Sequence, residues 1–165
     1  MTSIPWRALQ IWPNHEATIT QHLHLLGVES YYPARQNQSR WARHNPGRYK
    51  PVPLFPGYLF ARFEYSERVS VLRLPWVKLV GDETAVIPAV EIESIRQLVN
   101  SKLGLFTHYS LEPGRKVRIA CGPLTGIEGV VVEHKGQERI LVSVELISRA
   151  LSVELDSAWL VPLAA

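Results

Sequence analysis

Side chains able to meet phosphates and bases gather in one stretch of this 165-residue chain. No acidic residue lies between Glu29 and Glu64, while Arg35, Arg40, Arg43, Arg48, Lys50 and Arg62 all fall inside. Trp41, His44 and Tyr49 are interleaved with those cations. Aromatic rings stack on unpaired bases and cations meet the backbone, so the pattern suits single-stranded nucleic acid. Guanidinium groups can also read guanine edges. A charge run usually forms nothing more than a solvated loop, and the overall balance of +3 decides nothing alone. The interleaved aromatics favour contact.

Other reactive groups lack a setting. His22 and His24 stand two apart on a helix, point to different faces and do not suit a metal. Glu91 and Glu93 have the same spacing and read as helix surface. Cys121 is the one cysteine, which removes disulfide frameworks and cysteine-based zinc sites. At a strand end with no activating partner, it reads as a small packed residue. Walker loops, Gly-x-Ser-x-Gly and His-Glu-x-x-His are absent. The expectation is a binding protein, not an enzyme, with neither cofactor nor metal. Trp6 and Arg7 come too early for a signal peptide, and no apolar run approaches membrane-spanning length. A soluble, cytoplasmic monomer is expected.

The elements that must position these groups are arranged around residues 54–63, Leu-Phe-Pro-Gly-Tyr-Leu-Phe-Ala-Arg-Phe. Pro56-Gly57 is turn punctuation, and the residues after it are aromatic and aliphatic without helical spacing. Tyr58, Phe60 and Arg62 share one face, and Leu59, Ala61 and Phe63 the other. A strand apolar on both faces belongs in the middle of a sheet. Residues 51–55 contain two prolines and cannot be a central strand, so Phe55 is expected at the rim.

Before this strand, residues 6–12 alternate as a first strand. Asn14 is a plausible N-cap for a helix carrying Ile19, Leu23 and Leu26, ended by Gly27. Residues 28–33 read as a second strand, and 34–50 as a loop or protruding hairpin closed by Asn45-Pro46-Gly47. After it, Ser66 is placed to cap a short helix, residues 76–80 form a strand, and Ile92, Ile95, Leu98 and Val99 mark a helix over 90–101. Residues 102–112 carry no period. Five short strands come next, at 116–120, 129–133, 139–145, 150–155 and 159–161, with Lys135-Gly136 as a tight turn. Composition leaves one domain or two open. The pattern predicts an α+β class: a sheet with packed helices over 1–105, a linker at 106–112, and a small closed all-β barrel of five strands over 113–165.

Two blocks carry a resemblance. Trp6, a helix, Leu54-Phe55-Pro56-Gly57-Tyr58-Leu59-Phe60, Val77-Lys78-Leu79-Val80-Gly81 and the Ile92 helix together resemble the NGN domain of NusG-type transcription elongation factors. Pro113-Gly114, Val117-Arg118-Ile119, the run Gly122-Pro123-Leu124-Thr125-Gly126-Ile127-Glu128-Gly129 and Val153-Glu154-Leu155-Asp156 resemble the SH3-like KOW domain that comes after it in that family. Ribosomal proteins also carry KOW motifs, so a ribosome- or RNA-associated protein is the alternative. The NGN block argues against it.

The resemblance implies a hydrophobic patch that grips the clamp helices of the largest subunit of RNA polymerase. Phe55, beside Pro56, matches its aromatic; Trp6 and Tyr58 match positions that build or flank it. Mid-strand aromatics usually pack inward, so Trp6 and Tyr58 are expected in the core and Phe55 at the contact. The exposed non-template DNA strand is the partner expected for the basic loop. In the KOW loop, Ile147 stands where general NusG carries a phenylalanine for Rho or a small-subunit ribosomal protein. Leu146-Ile147 thus forms an apolar tip suited to a ribosomal partner, with Arg149 as a further contact beside it and Rho put in doubt. Compact length and the basic loop look closer to RfaH-like and capsule-operon antiterminators. Some of these fold the KOW segment as helices; here Val130-Val131-Val132 and residues 140–144 favour strands. The expected function is polymerase binding that promotes processive elongation, as an operon-specific antiterminator.

Overall fold

The computed structural model describes residues 3–36, 39–45, 47, 48, 50–134 and 136–164. Its elements run β1 (Trp6–Ile11), α1 (Glu16–Leu25), β2 (Glu29–Tyr31), β3 (Ala34–Arg35), α2 (Arg40–His44), β4 (Val52–Pro53), β5 (Tyr58–Arg62), α3 (Arg68–Leu72) and β6 (Val77–Leu79). After these come α4 (Ala89–Asn100), β7 (Leu105–His108), β8 (Arg115–Ile119), β9 (Glu128–His134), β10 (Gln137–Val144), β11 (Arg149–Val153) and β12 (Leu160–Pro162). The class is α+β, as expected. By internal contacts the chain divides into residues 1–85 and 86–165, which groups α4 with the second sheet.

In the first unit, four antiparallel strands stand in the order β2-β5-β1-β6. β5 is flanked on both edges, pairing Trp6 with Arg62 and Gln10 with Tyr58 on one side and Glu29 with Arg62 on the other. Its Leu59, Ala61 and Phe63 face a cluster of Leu9, Ile11, Ile19, Leu23 and Val71. Helices α1 and α3 supply the last three of these. Burial of each such side chain stabilises by roughly 1.5–3 kcal/mol. Phe60, on the opposite face, is also fully buried.

Several local expectations change. Asn14 does not cap α1: it sits at φ 69°, and His15 precedes the helix without a side-chain bond. Its short polar side chain tolerates the left-handed turn that a cap position does not use. Leu26 lies beyond α1 and is exposed, while Glu16 is buried instead. Glu64, not Ser66, starts the turn before α3, in a reciprocal capping box with Glu67. The stretch from Ala34 is a hairpin, β3 pairing with β4, but it carries a short helix that polar composition concealed. Ser39 caps that helix by accepting from the Ala42 N–H at 3.2 Å.

The second unit holds all five expected strands and one more. Its sheet order is β12-β8-β9-β10-β11-β7, antiparallel throughout. The additional strand, β7, falls in residues 102–112, where the lost period predicts no structure. Four residues are too few to show a period, and the pairing of Leu105 with Val153 and His108 with Ala150 makes the strand. His108 Nε2 lies 2.8 Å from Ser152 Oγ and satisfies that fully buried hydroxyl. Gly122 sits at φ +85°, where a Cβ would lie 2.7 Å from the Trp159 ring. The glycine motif is therefore a packing requirement as well as a turn. Cys121 beside it is exposed, not packed, because the strand has already ended there. The Lys135 side of the expected tight turn lies outside the described residues.

Glu93 is exposed but Glu91 is not the free surface carboxylate its spacing suggests. Burial pushes its carboxyl above the ordinary range; the Glu145 backbone N–H pulls it down, and the Glu145 charge adds to the rise.

Candidate functional site

The turn ahead of β5 is held from two directions. Gly57 adopts φ +84°, which glycine accepts without steric cost. Its carbonyl accepts from the Ile11 N–H at 2.8 Å, and its N–H donates to Glu16 Oε1 at 3.3 Å. The Tyr58 N–H closes the turn onto the Phe55 carbonyl at 3.0 Å. These bonds fix the turn that carries Phe55, Pro56 and Tyr58 of the expected contact patch.

Their exposure reverses the expectation. Phe55 is only 1% exposed and packs edge-on against Phe60, with ring centroids 6.1 Å apart. Trp6 is buried as expected, under the Arg62 guanidinium, which lies 5.5 Å from its ring. Pro56 is exposed and Tyr58 half-buried. A proline-flanked entry kept Phe55 out of the ladder, but the closing turn directs its ring inward. Accessible surface on this turn belongs to Pro56 and Tyr58.

The hairpin places its cations where the sequence suggests. Arg35, Arg40, Arg43, His44, Arg48 and Lys50 are all exposed, and Trp41 is 71% exposed. One turn of helix brings Arg40, Arg43 and His44 to neighbouring positions, and His44 Nδ1 donates to the Arg40 carbonyl at 2.8 Å. Trp41 is presented with its ring largely bare. Tyr49 lies outside the described residues.

The KOW tip is a correction. Ile147 is 5% exposed, in a single 3-10 turn, and Leu146 is half-buried. Ser148 at φ 50° reverses the chain there, so the turn folds its aliphatic residue back onto the core. Arg149 Nη1 is spent on the carbonyls of Tyr109, Ile147 and Ser148, at 3.2–3.3 Å. These three residues do not make an apolar tip.

Sequence reasoning missed Trp12, 62% exposed, and Trp76, whose ring packs against His15 at a tilt of 48° with centroids 4.4 Å apart. Trp76 sits at φ 64°, uncommon for a bulky residue. The burial of Glu16, an acidic residue favourably placed in the first turn of α1, is likewise unmarked in the sequence. Among the described residues no group of three His, Cys, Asp or Glu could hold a metal, and no helix is long and apolar enough to cross a membrane.

Comparison with known proteins agrees with this architecture. A family model described as "Transcription termination factor nusG" matches residues 5–96, a span that includes β1, the hairpin, the Phe55–Tyr58 turn and most of α4. The transcription termination/antitermination protein NusG of Borreliella burgdorferi is 23% identical over 174 residues, covering 92% of this chain and 94% of the relative. The solved structure of Thermotoga maritima NusG, described for its domain interaction, superposes with a TM-score of 0.54 at 18% identity. That match covers 97% of each chain.

Proposed function

The chain belongs to the NusG family of transcription termination and antitermination factors, and from that premise we propose that it binds bacterial RNA polymerase and promotes processive elongation. The contact runs through Pro56 and Tyr58, against the clamp helices of the largest subunit, with Phe55 buried in the same turn and Trp6 buried at the far end of β5, opposite Arg62. The observation that carries this reading is the accessible Pro56 and Tyr58 on a doubly anchored turn, inside the segment the family model matches. Occupancy is the mechanism: a factor that binds the closed polymerase more tightly than the open, paused one shifts the equilibrium by that difference. The protein binds and does not catalyse, and it works in the cytoplasm.

The hairpin from Ala34 to Pro53 is the second contact. Trp41 offers a stacking face for an unpaired base, while Arg40, Arg43, Arg48 and Lys50 meet phosphates of the exposed non-template strand. That acid-free hairpin supports an operon-specific antiterminator over a general factor. Residues 1–105 act as the polymerase-binding part and residues 113–165 as the coupling part.

The test is binding of the full chain to purified polymerase core, in competition with the isolated clamp-helix hairpin. Saturable binding relieved by that competitor is expected. No binding, or binding the competitor leaves untouched, overturns the reading.

A further inference from the structure

Glu16 is 4% exposed, the only buried acidic residue among those described. The ion pairs of the described residues do not include it. Taking a carboxylate out of water without a cation is costly, and an apolar residue there would ordinarily do as well or better. What Glu16 holds is specific. Its Oε1 accepts from the Gly57 N–H at 3.3 Å, while the Gly57 carbonyl is already bound to the end of β1 through Ile11. Glu16 opens α1, where free backbone N–H groups and the helix dipole favour an anion. One carboxylate thus ties the start of α1 to the turn that carries Pro56 and Tyr58.

On its other side that turn is seated by the buried Leu54 and Phe55. It is entered from β4, a strand of two residues, and the Leu54 N–H reaches the Pro33 carbonyl at 2.8 Å. The geometry points to Glu16 as a positioning residue: it sets where Pro56 and Tyr58 stand relative to α1, and so aims the polymerase contact without touching the partner. This rests on the polymerase reading above.

Two variants of the full chain separate aiming from mere support of the helix. Glu16→Asp keeps the charge at the helix start but is one methylene short of Gly57. Glu16→Gln loses the charge but keeps an acceptor of the right reach. Both are measured for melting, for affinity to polymerase core and for hydrogen exchange at the Gly57 amide. Glu16→Asp should melt near wild type, bind about tenfold more weakly and exchange Gly57 about tenfold faster, the worth of one buried hydrogen bond. Glu16→Gln should match wild type in both. Wild-type affinity and Gly57 protection in Glu16→Asp would overturn the assignment. Equal losses in the two variants would also do so, because an acceptor of the right reach would then have failed to hold the turn. If wild type itself does not bind polymerase, the proposed function falls, and the exchange comparison alone decides whether Glu16 holds the turn.

Discussion

At the scale of single residues, the proposed contact patch separates into exposed Pro56 with half-buried Tyr58, and buried Trp6 with Phe55. Phe55→Ala removes a fully buried ring and should destabilise the protein by about 3–5 kcal/mol, read as a lowered melting temperature. Tyr58→Ala should cost less stability than Phe55→Ala and weaken polymerase binding by about 2 kcal/mol, the loss expected of an interface aromatic. A Phe55→Ala protein that melts normally and fails only in binding would restore Phe55 as the contact. Glu91 gives a pH prediction. Its carboxyl is raised in the folded protein, chiefly by burial, so its contribution is fully present below the ordinary carboxylate range. That contribution is lost as pH rises through the raised value. Glu91→Gln should therefore melt above wild type at neutral pH, with the gap closing on acidification. A pH-independent gap would point to packing instead.

At the scale of elements, α2 and β7 are the two that composition hid. The α2 prediction concerns DNA: Arg40, Arg43 and Arg48 changed together to Ala should weaken binding to a paused elongation complex with an exposed non-template strand. The loss should shrink as salt rises, since fewer counterions are released. Binding to polymerase core without DNA should hardly change; an equal loss in both would make the hairpin a polymerase contact. Both elements are short, and that is why they were illegible. A five-residue helix and a four-residue strand are set by a Ser39 cap and by the β11 edge, neither of which leaves a periodic trace.

At the scale of the whole molecule, β7 decides how the second unit is best cut. Residues 113–165 contain the five strands of the KOW pattern but leave β11 uncovered along Ala150–Val153. A fragment of 102–165 should melt higher than one of 113–165, followed by circular dichroism, because it restores that pairing and the His108–Ser152 contact. Equal melting would show that β7 adds nothing to the sheet. Both fragments should give a strand spectrum; a helical one would mean that the valine-rich strands do not hold without the rest of the chain.

Sequence alone determined the features that depend on neighbours along the chain. Alternation and run length marked β1, β5 and the five KOW strands, and amphipathic spacing marked α4. The paired family blocks marked the family, and the acid-free basic stretch carries the proposed nucleic-acid contact. Tertiary structure decided which side of each element meets solvent. Phe55 beside its proline and Ile147 at its loop both looked exposed by context, yet each is turned inward by a backbone reversal that sequence marks only as a bend. Nothing in the local sequence around Glu16 marks it as buried; its carboxylate meets the Gly57 N–H, 41 residues away in the chain. Burial is a property of what packs across the fold, and no local pattern carries it.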